Sequence, residues 1–182
     1  FYDLEKKIIR ENVYEDGSFS DSFDGRLINP GHGLEAMWFI MDLGQEFKRD
    51  EWIKKAIDIA LNIIDHGWDG EMKGIFYFLD SEGHSPQQLE WNQKLWWVHL
   101  EALVCFLRAY ELSGSKKCFE WFQKIYNYTW SNFRDPNGGE WYGYLQRNGE
   151  KLLNLKGGKW KGCFHVPRAL LILSQISKRL DI

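Results

Sequence analysis

Residues 94–114 read KLWWVHLEALVCFLRAYELSG, and from Leu100 to Leu112 apolar side chains cover nearly every face of the helix their spacing predicts. A helix that is apolar all round is buried all round. Two other stretches share this character, Leu34–Leu43 and Ala169–Ile176, and they lie at a fixed period. Ala36, Ala102 and Ala169 are 66 and 67 residues apart, while Gly17, Gly83, Gly149 and Asp3, Asp69, Asp135 are each separated by 66. Internal repetition therefore organises the chain.

The first two buried helices lead into helices of a second kind. Trp52, Ile53, Ala56, Ile57, Ala60, Ile63 and Ile64 recur at helical spacing, as do Cys118, Phe122, Ile125, Tyr126, Thr129 and Phe133. Each set makes one apolar stripe and leaves one wet face. Ahead of each buried helix, the short runs Ile8–Val13, Ile75–Leu79 and Trp141–Leu145 enter the turn pairs Asp16-Gly17, Glu82-Gly83 and Asn148-Gly149, a β-hairpin pattern. Inner buried helix, outer amphipathic helix and short hairpin, repeated, are the plan of an α/α toroid. The expectation is an all-α fold of about five helices, a single partial domain over 1–182 with three repeats of about 66 residues. Phe1 and Tyr2 align with the ends of outer helices, and six such repeats need roughly 400 residues, so the reading is the C-terminal half of a closed ring.

With 182 residues, a net charge of −3, 44% hydrophobic and 27% charged residues, the chain has ordinary globular composition, which argues against disorder and a basic nucleic-acid binder. No apolar run reaches the ~18 residues of a membrane span, and no secretory leader pattern opens the sequence. Cys105, Cys118 and Cys163 are sparse and odd in number, as expected of reduced thiols in a cytoplasmic protein. Aromatic residues are abundant at 16%. They fit either a large core or a site where sugar C–H faces lie on rings.

On the repeat register the first-turn positions of the inner helices are His32, Val98 and His165. Asn29 and Pro30 read as the cap and first residue of one helix, and the Lys161–Arg168 segment is expected to open the last helix in the same way. Inner-helix N-termini of a toroid point into one cup, so two histidines from separate repeats face a shared cavity. The helix dipole there favours neutral imidazole, suited to acid–base work. A capping or core histidine is the alternative for either alone. Glu35, one turn after His32, can orient it or bind a hydroxyl, and Arg168, one turn after His165, can hold an oxyanion; a local helix ion pair is the alternative for each. Trp96, Trp97 and Trp160 precede inner helices and serve as aromatic walls of the cup or as rim packing. His99, His66 and His84 fall outside this register and receive no role. Zinc-ligand, nucleotide-loop and redox motifs are absent. The register residues also disfavour a two-carboxylate glycoside hydrolase.

The strings ENVYEDGSF (11–19), GRLINPGHGLEAMWFIMDLG (25–44), KLWWVHLEALVCFLRAYELSG (94–114) and GGEWYGYLQRNGEKLLNLKGGKWKGCFHVPRALLIL (138–173) resemble the N-acylglucosamine 2-epimerase family, in the family's order and over nearly the whole chain. The last string is closer to the N-acyl-hexosamine branch than to cellobiose 2-epimerases. The resemblance implies an (α/α)6 barrel and metal-free, cofactor-free epimerisation at C2 of a reducing sugar. It implies that His32 and His165 are the acid/base pair, and that Glu35, Arg168, Trp160 and a Trp of the KLWW string (Trp96 or Trp97) meet the substrate. The family's N-terminal half, with a further site Arg and a third site His, is not on this sequence. The expected partners are therefore a sugar and either that half or a second copy of the chain, with no nucleic acid and no membrane. An aldose–ketose isomerase of the same fold, or a non-catalytic remnant that binds sugar, are the rival functions. Open edges of the arc are expected to expose Met37, Phe39, Ile40, Leu171 and Ile172.

Overall fold

Asn29 and Pro30 open the first long helix as their chemistry requires. The Asn29 side chain accepts from the His32 amide at 3.2 Å, and Pro30, with no amide hydrogen to lose, takes the first helical position. The computed structural model describes residues 1–182. Its elements run β1 (Tyr2–Asp3), β2 (Ile8–Ile9), α1 (Phe23–Arg26), β3 (Leu27–Ile28), α2 (Pro30–Glu46), α3 (Asp50–Gly67), β4 (Leu79–Asp80), β5 (Lys94–Leu95), α4 (Trp96–Ser113), α5 (Lys116–Asn132), β6 (Tyr144–Leu145) and α6 (His165–Leu180). The five long helices match the reading of the sequence. The single turn α1, capped by Ser22, was not foreseen.

Helix α4 is central. It packs against α2 on one side, α6 on the other, and α5 and α3 behind. Thirteen of its eighteen residues are buried, including Leu100, Leu103, Val104, Phe106 and Leu107. It stops at Gly114, whose φ of 67° is the left-handed conformation that ends helices without a side-chain penalty. The amphipathic α3 and α5 form the outer layer, and α2, α4 and α6 the inner one. Gly44 lets the first inner–outer pair close, because a Cβ there would meet Ile53 Cγ1 at 2.7 Å.

Helix α6 departs from its sequence pattern. Only Val166, Ala169 and Ile176 are buried, since α4 is the one long helix against which it packs extensively. Its start differs too: Phe164 holds the cap position and supplies no side-chain hydrogen bond, unlike Asn29. Phe39, Ile40 and Leu171 are exposed and Ile172 half-buried, as expected at open edges, but Met37 is buried in the core against that expectation.

The expected hairpins are rearranged. Strand β1 pairs with β2, and the bridges Trp68–Ile75 and Arg134–Trp141 repeat that pairing after each outer helix. The other pairings, β3 with β4 and β5 with β6, join one repeat to the next. The periodic aspartates explain the first set: Asp3 Oδ1 accepts the amides of Glu5 and Lys6, Asp69 Oδ1 those of Glu71 and Met72, and Asp135 Oδ1 that of Asn137. The periodic glycines sit in turns at φ of 83°, 81° and 88°, conformations only glycine adopts freely. Of these turns, only the one at Gly149 is flanked by a bridged pair, Leu145–Lys151. No helix is long and apolar enough to cross a membrane.

Candidate active site

His32 and His165 occupy the first turns of α2 and α6, on either side of α4, and both pack against the indole of Trp97 from α4. The ring centroids are 5.1 Å apart for His32 and 5.6 Å for His165, with tilts of 36° and 34°. The repeat thus brings two residues 133 positions apart in sequence to one aromatic side chain.

Each imidazole is held through Nδ1 by a carboxylate. Glu11 Oε2 lies 2.8 Å from His32 Nδ1, and Glu101 Oε1 lies 2.7 Å from His165 Nδ1. Nε2 of both rings has no protein partner, so each presents its second nitrogen for other work. Glu101 is fully buried on α4. It also accepts from Trp38 Nε1 at 2.9 Å and from Arg168 Nη2. Burial alone would push its carboxyl up; the hydrogen bonds from His165 and Trp38, with the Arg168 charge, outweigh it and hold the group below the ordinary carboxylate range.

Glu35 turns to Arg168 rather than to His32, at 2.7 Å from Nη2. The inter-repeat pair Glu35–Arg168 replaces the local ion pair weighed from sequence. Glu35, Glu101 and His165 bring ligand atoms within 4.8 Å of one another, and Arg168 stands among them, bonded to both carboxylates. One guanidinium bonded to two carboxylates fixes the Glu101 side chain that holds His165.

A cavity of about 390 Å³ opens beside His165. Trp96, Trp97, Trp160, Tyr77, Tyr144, Glu90 and Gln93 line it with Leu95. Trp160 stands 74% exposed at its rim, as expected of a wall. Trp96 and Trp97 do not: both are buried, Trp96 edge-on to Tyr144 and His165 and Trp97 against the two histidines, and they form floor rather than mouth. His32, Glu35 and Arg168 are outside the cavity lining, with His32 reaching the site across Trp97. At His32 the helix dipole is opposed by a neighbouring carboxylate. The Glu11 hydrogen bond raises the His32 pKa above that of ordinary imidazole, against a smaller opposing effect of burial. His99, given no role, is a buried fastener: its Nδ1–H donates to Leu95 O at 2.7 Å and its Nε2 accepts from the Ile75 amide at 2.9 Å. Burial pulls its pKa down to about 3.

Sequence reading missed Glu11, Glu101, Trp38, Tyr77 and Tyr144. The register held the signal for one of them, since Glu35, Glu101 and Arg168 each precede an aligned alanine of the period. Glu11 had no such marker, because its contact to His32 is made by a loop.

The fold belongs to the (α/α)6-toroid class. The cellobiose 2-epimerase of Bacillus thermoamylovorans superposes with a TM-score of 0.73 at 24% identity, covering 97% of this chain and 43% of that one. A D-mannose isomerase superposes with the same score at 20% identity, covering 81% and 37%. The family profile for N-acylglucosamine 2-epimerase (GlcNAc 2-epimerase) matches residues 1–169. The N-acylglucosamine 2-epimerase of Mus musculus is 46% identical over 171 residues, which are 93% of this chain and 41% of the relative. The chain belongs to the N-acylglucosamine 2-epimerase family. It spans about two-fifths of the length of the curated relatives it matches.

Proposed function

We propose that the chain carries the two acid–base histidines of a C2 epimerase for a reducing sugar of the N-acetylglucosamine/N-acetylmannosamine type. The observation that carries this reading is the pair His32 and His165, each anchored at Nδ1 by a carboxylate, each with Nε2 unpartnered, against one indole. Epimerisation needs two such groups. Ring opening exposes an aldehyde at C1, which acidifies the C2–H bond. One histidine takes that proton, and the electron pair left at C2 delocalises onto the C1 oxygen as an enediolate. Rotation about C2–C3 turns the other face of C2 toward the second histidine, which returns a proton to C2.

Arg168 supports the enediolate charge, with Glu35 fixing the guanidinium. Trp160 gives the exposed apolar face against which a pyranose lies, and the buried Trp96 and Trp97 back the cavity. Buried, unpaired Cys105 and Cys118 support a reducing, cytoplasmic setting. Further ring helices, supplied by the family's other half, cover the open edges of the arc. The test is incubation with N-acetylmannosamine, N-acetylglucosamine, mannose and cellobiose, alone and with any adjacent reading frame coexpressed. A C2 epimer of an N-acetyl sugar is the expected product; a ketose, or no product under every condition, overturns the reading.

A further inference from the structure

His32 stands where the N-terminal dipole of α2 disfavours a positive ring, with 53% of its side chain exposed. The acidic group that meets it comes from outside the helix. Glu11 places Oε2 at 2.8 Å from Nδ1, and its side chain is only 20% exposed. Glu35, on the same helix as the ring, adds a weaker charge, but its carboxylate is engaged by Arg168. From α4, the side chain against the ring is the uncharged indole of Trp97.

The backbone under Glu11 is fixed from both sides. Arg10, 4% exposed, bonds the Asp3 carboxylate at 2.6 Å, Gly25 O at 3.2 Å and Ser81 Oγ at 3.0 Å. The Glu11 amide donates to Leu27 O at 3.3 Å, and Asn12 Nδ2 donates to Asp24 O at 3.1 Å. A second observation places this register position in the site. Tyr77, 66 residues further on, lines the cavity and meets Trp97 edge-on at 6.1 Å. Glu11 also differs from Glu101 in its company. The charge of Glu101 is shared with Arg168, whereas Glu11 has only the imidazole as an ionic partner.

We propose that Glu11 is the positioning residue of His32: it locks the ring with Nδ1–H toward the carboxylate and Nε2 outward, and it holds the imidazolium form. His32 is then the proton-loaded member of the pair at rest. The cycle begins with His165 taking the proton from C2 and His32 giving its Nε2 proton to the other face. Each turnover leaves His165 with the proton taken from C2 and His32 without the one it gave, and exchange with solvent resets both rings. The role in the cycle rests on the epimerisation proposed above; the bond and its effect on the ring are measurable without turnover.

Nitrogen-15 NMR of the histidine-labelled, purified chain tests it. Neutral His32 is expected as the Nδ1–H tautomer. In Glu11→Gln its titration midpoint falls by about one pH unit, the effect of losing one adjacent opposite charge. Glu11→Asp retains most of the raised midpoint, and the signals of His66 and His84 do not move. A His32 that rests as the Nε2–H tautomer in the unaltered chain, or one whose midpoint is the same in Glu11→Gln, overturns the proposal. The tautomer in the unaltered chain decides the matter if the Gln variant does not fold. Because no substrate is present, a His32 indifferent to Glu11 and a chain that fails to epimerise are separate results.

Discussion

Glu101 is the residue on which the most contacts of the site converge. Its two oxygens serve His165, Arg168 and Trp38 from a fully buried position on α4. Glu101→Gln keeps the shape and leaves the Arg168 charge paired with Glu35, but removes the charge from the bonds to His165 and Trp38, at a cost of about 1.5–3 kcal/mol, as for hydrogen bonds to a charged group. The sign of its pH dependence follows from the lowered pKa. The Glu101 contribution is complete above the unfolded carboxylate's pKa of about 4.3 and is lost as pH falls through the lower folded value. Urea unfolding of both chains should therefore show the full gap at pH 7 and a shrinking one below about pH 4; a gap independent of pH contradicts the charged role. At the same scale, either His32→Asn or His165→Asn should lower net epimerisation by at least about 10²-fold in a competent preparation. One base survives in each variant, so exchange of the C2 proton of one epimer with deuterated solvent can persist. Near-normal epimerisation by both variants removes the assignment.

At the scale of elements, the helices were legible because their patterns are long and their period strict. The cap Asn29-Pro30 and the all-round burial of α4 follow from local residues alone. The hairpins were misread for a related reason: Ile75–Leu79 and Trp141–Leu145 are extended, but their partners belong partly to the preceding repeat, and short apolar runs do not name their partners. The histidines were visible through the register, whereas Glu11 was not, because its contact depends on how the loop after β2 is pinned. Two glycines of α2 differ in how closely neighbouring elements approach them. A Cβ on Gly31 would lie 2.7–2.9 Å from the Trp97 ring and Val98 Cγ2, which are wedged at the start of α4. A Cβ on Gly33 would meet Ile63 Cδ1 at 2.8 Å, the movable end of a flexible side chain. Gly31→Ala should cost about 1–3 kcal/mol through overpacking and displace Trp97 from both histidines. Gly33→Ala should be near neutral, since the gain in helix propensity of about 1 kcal/mol offsets the adjustment of Ile63. Thermal unfolding of the two variants checks this, and equal destabilisation would show that α2 and α4 do not meet as described.

At the scale of the molecule, the arc is asymmetric about α4. Helix α4 has long-helix neighbours on every side, while α2 and α6 each present an apolar flank to solvent. Phe39 (42% exposed) and Leu43 (44%) mark one flank and Leu171 (60%) the other. On the first flank Tyr2, Ile9, Ile40, Trp52 and Ile59 also line an apolar groove of about 380 Å³ beside α3. Scattered exposed leucines need no explanation, but patches at both ends of one helical layer do. Each such side chain gains about 1.5–3 kcal/mol on full burial, so covering both flanks is strongly favoured once a complementary surface is present. The buried Met37 limits the effect, because the core already claims the inner part of the α2 face. The purified chain is therefore expected to bind an apolar dye and to self-associate at micromolar concentration in light scattering. Polar substitution of Phe39 and Leu171 should suppress both while leaving the helical signal intact, since neither side chain contributes to the core. Coexpression with the family's other half should abolish dye binding in the same way, and of the two arrangements it is the one expected to restore turnover. A monodisperse, dye-silent monomer of the unaltered chain would show that these flanks need no cover.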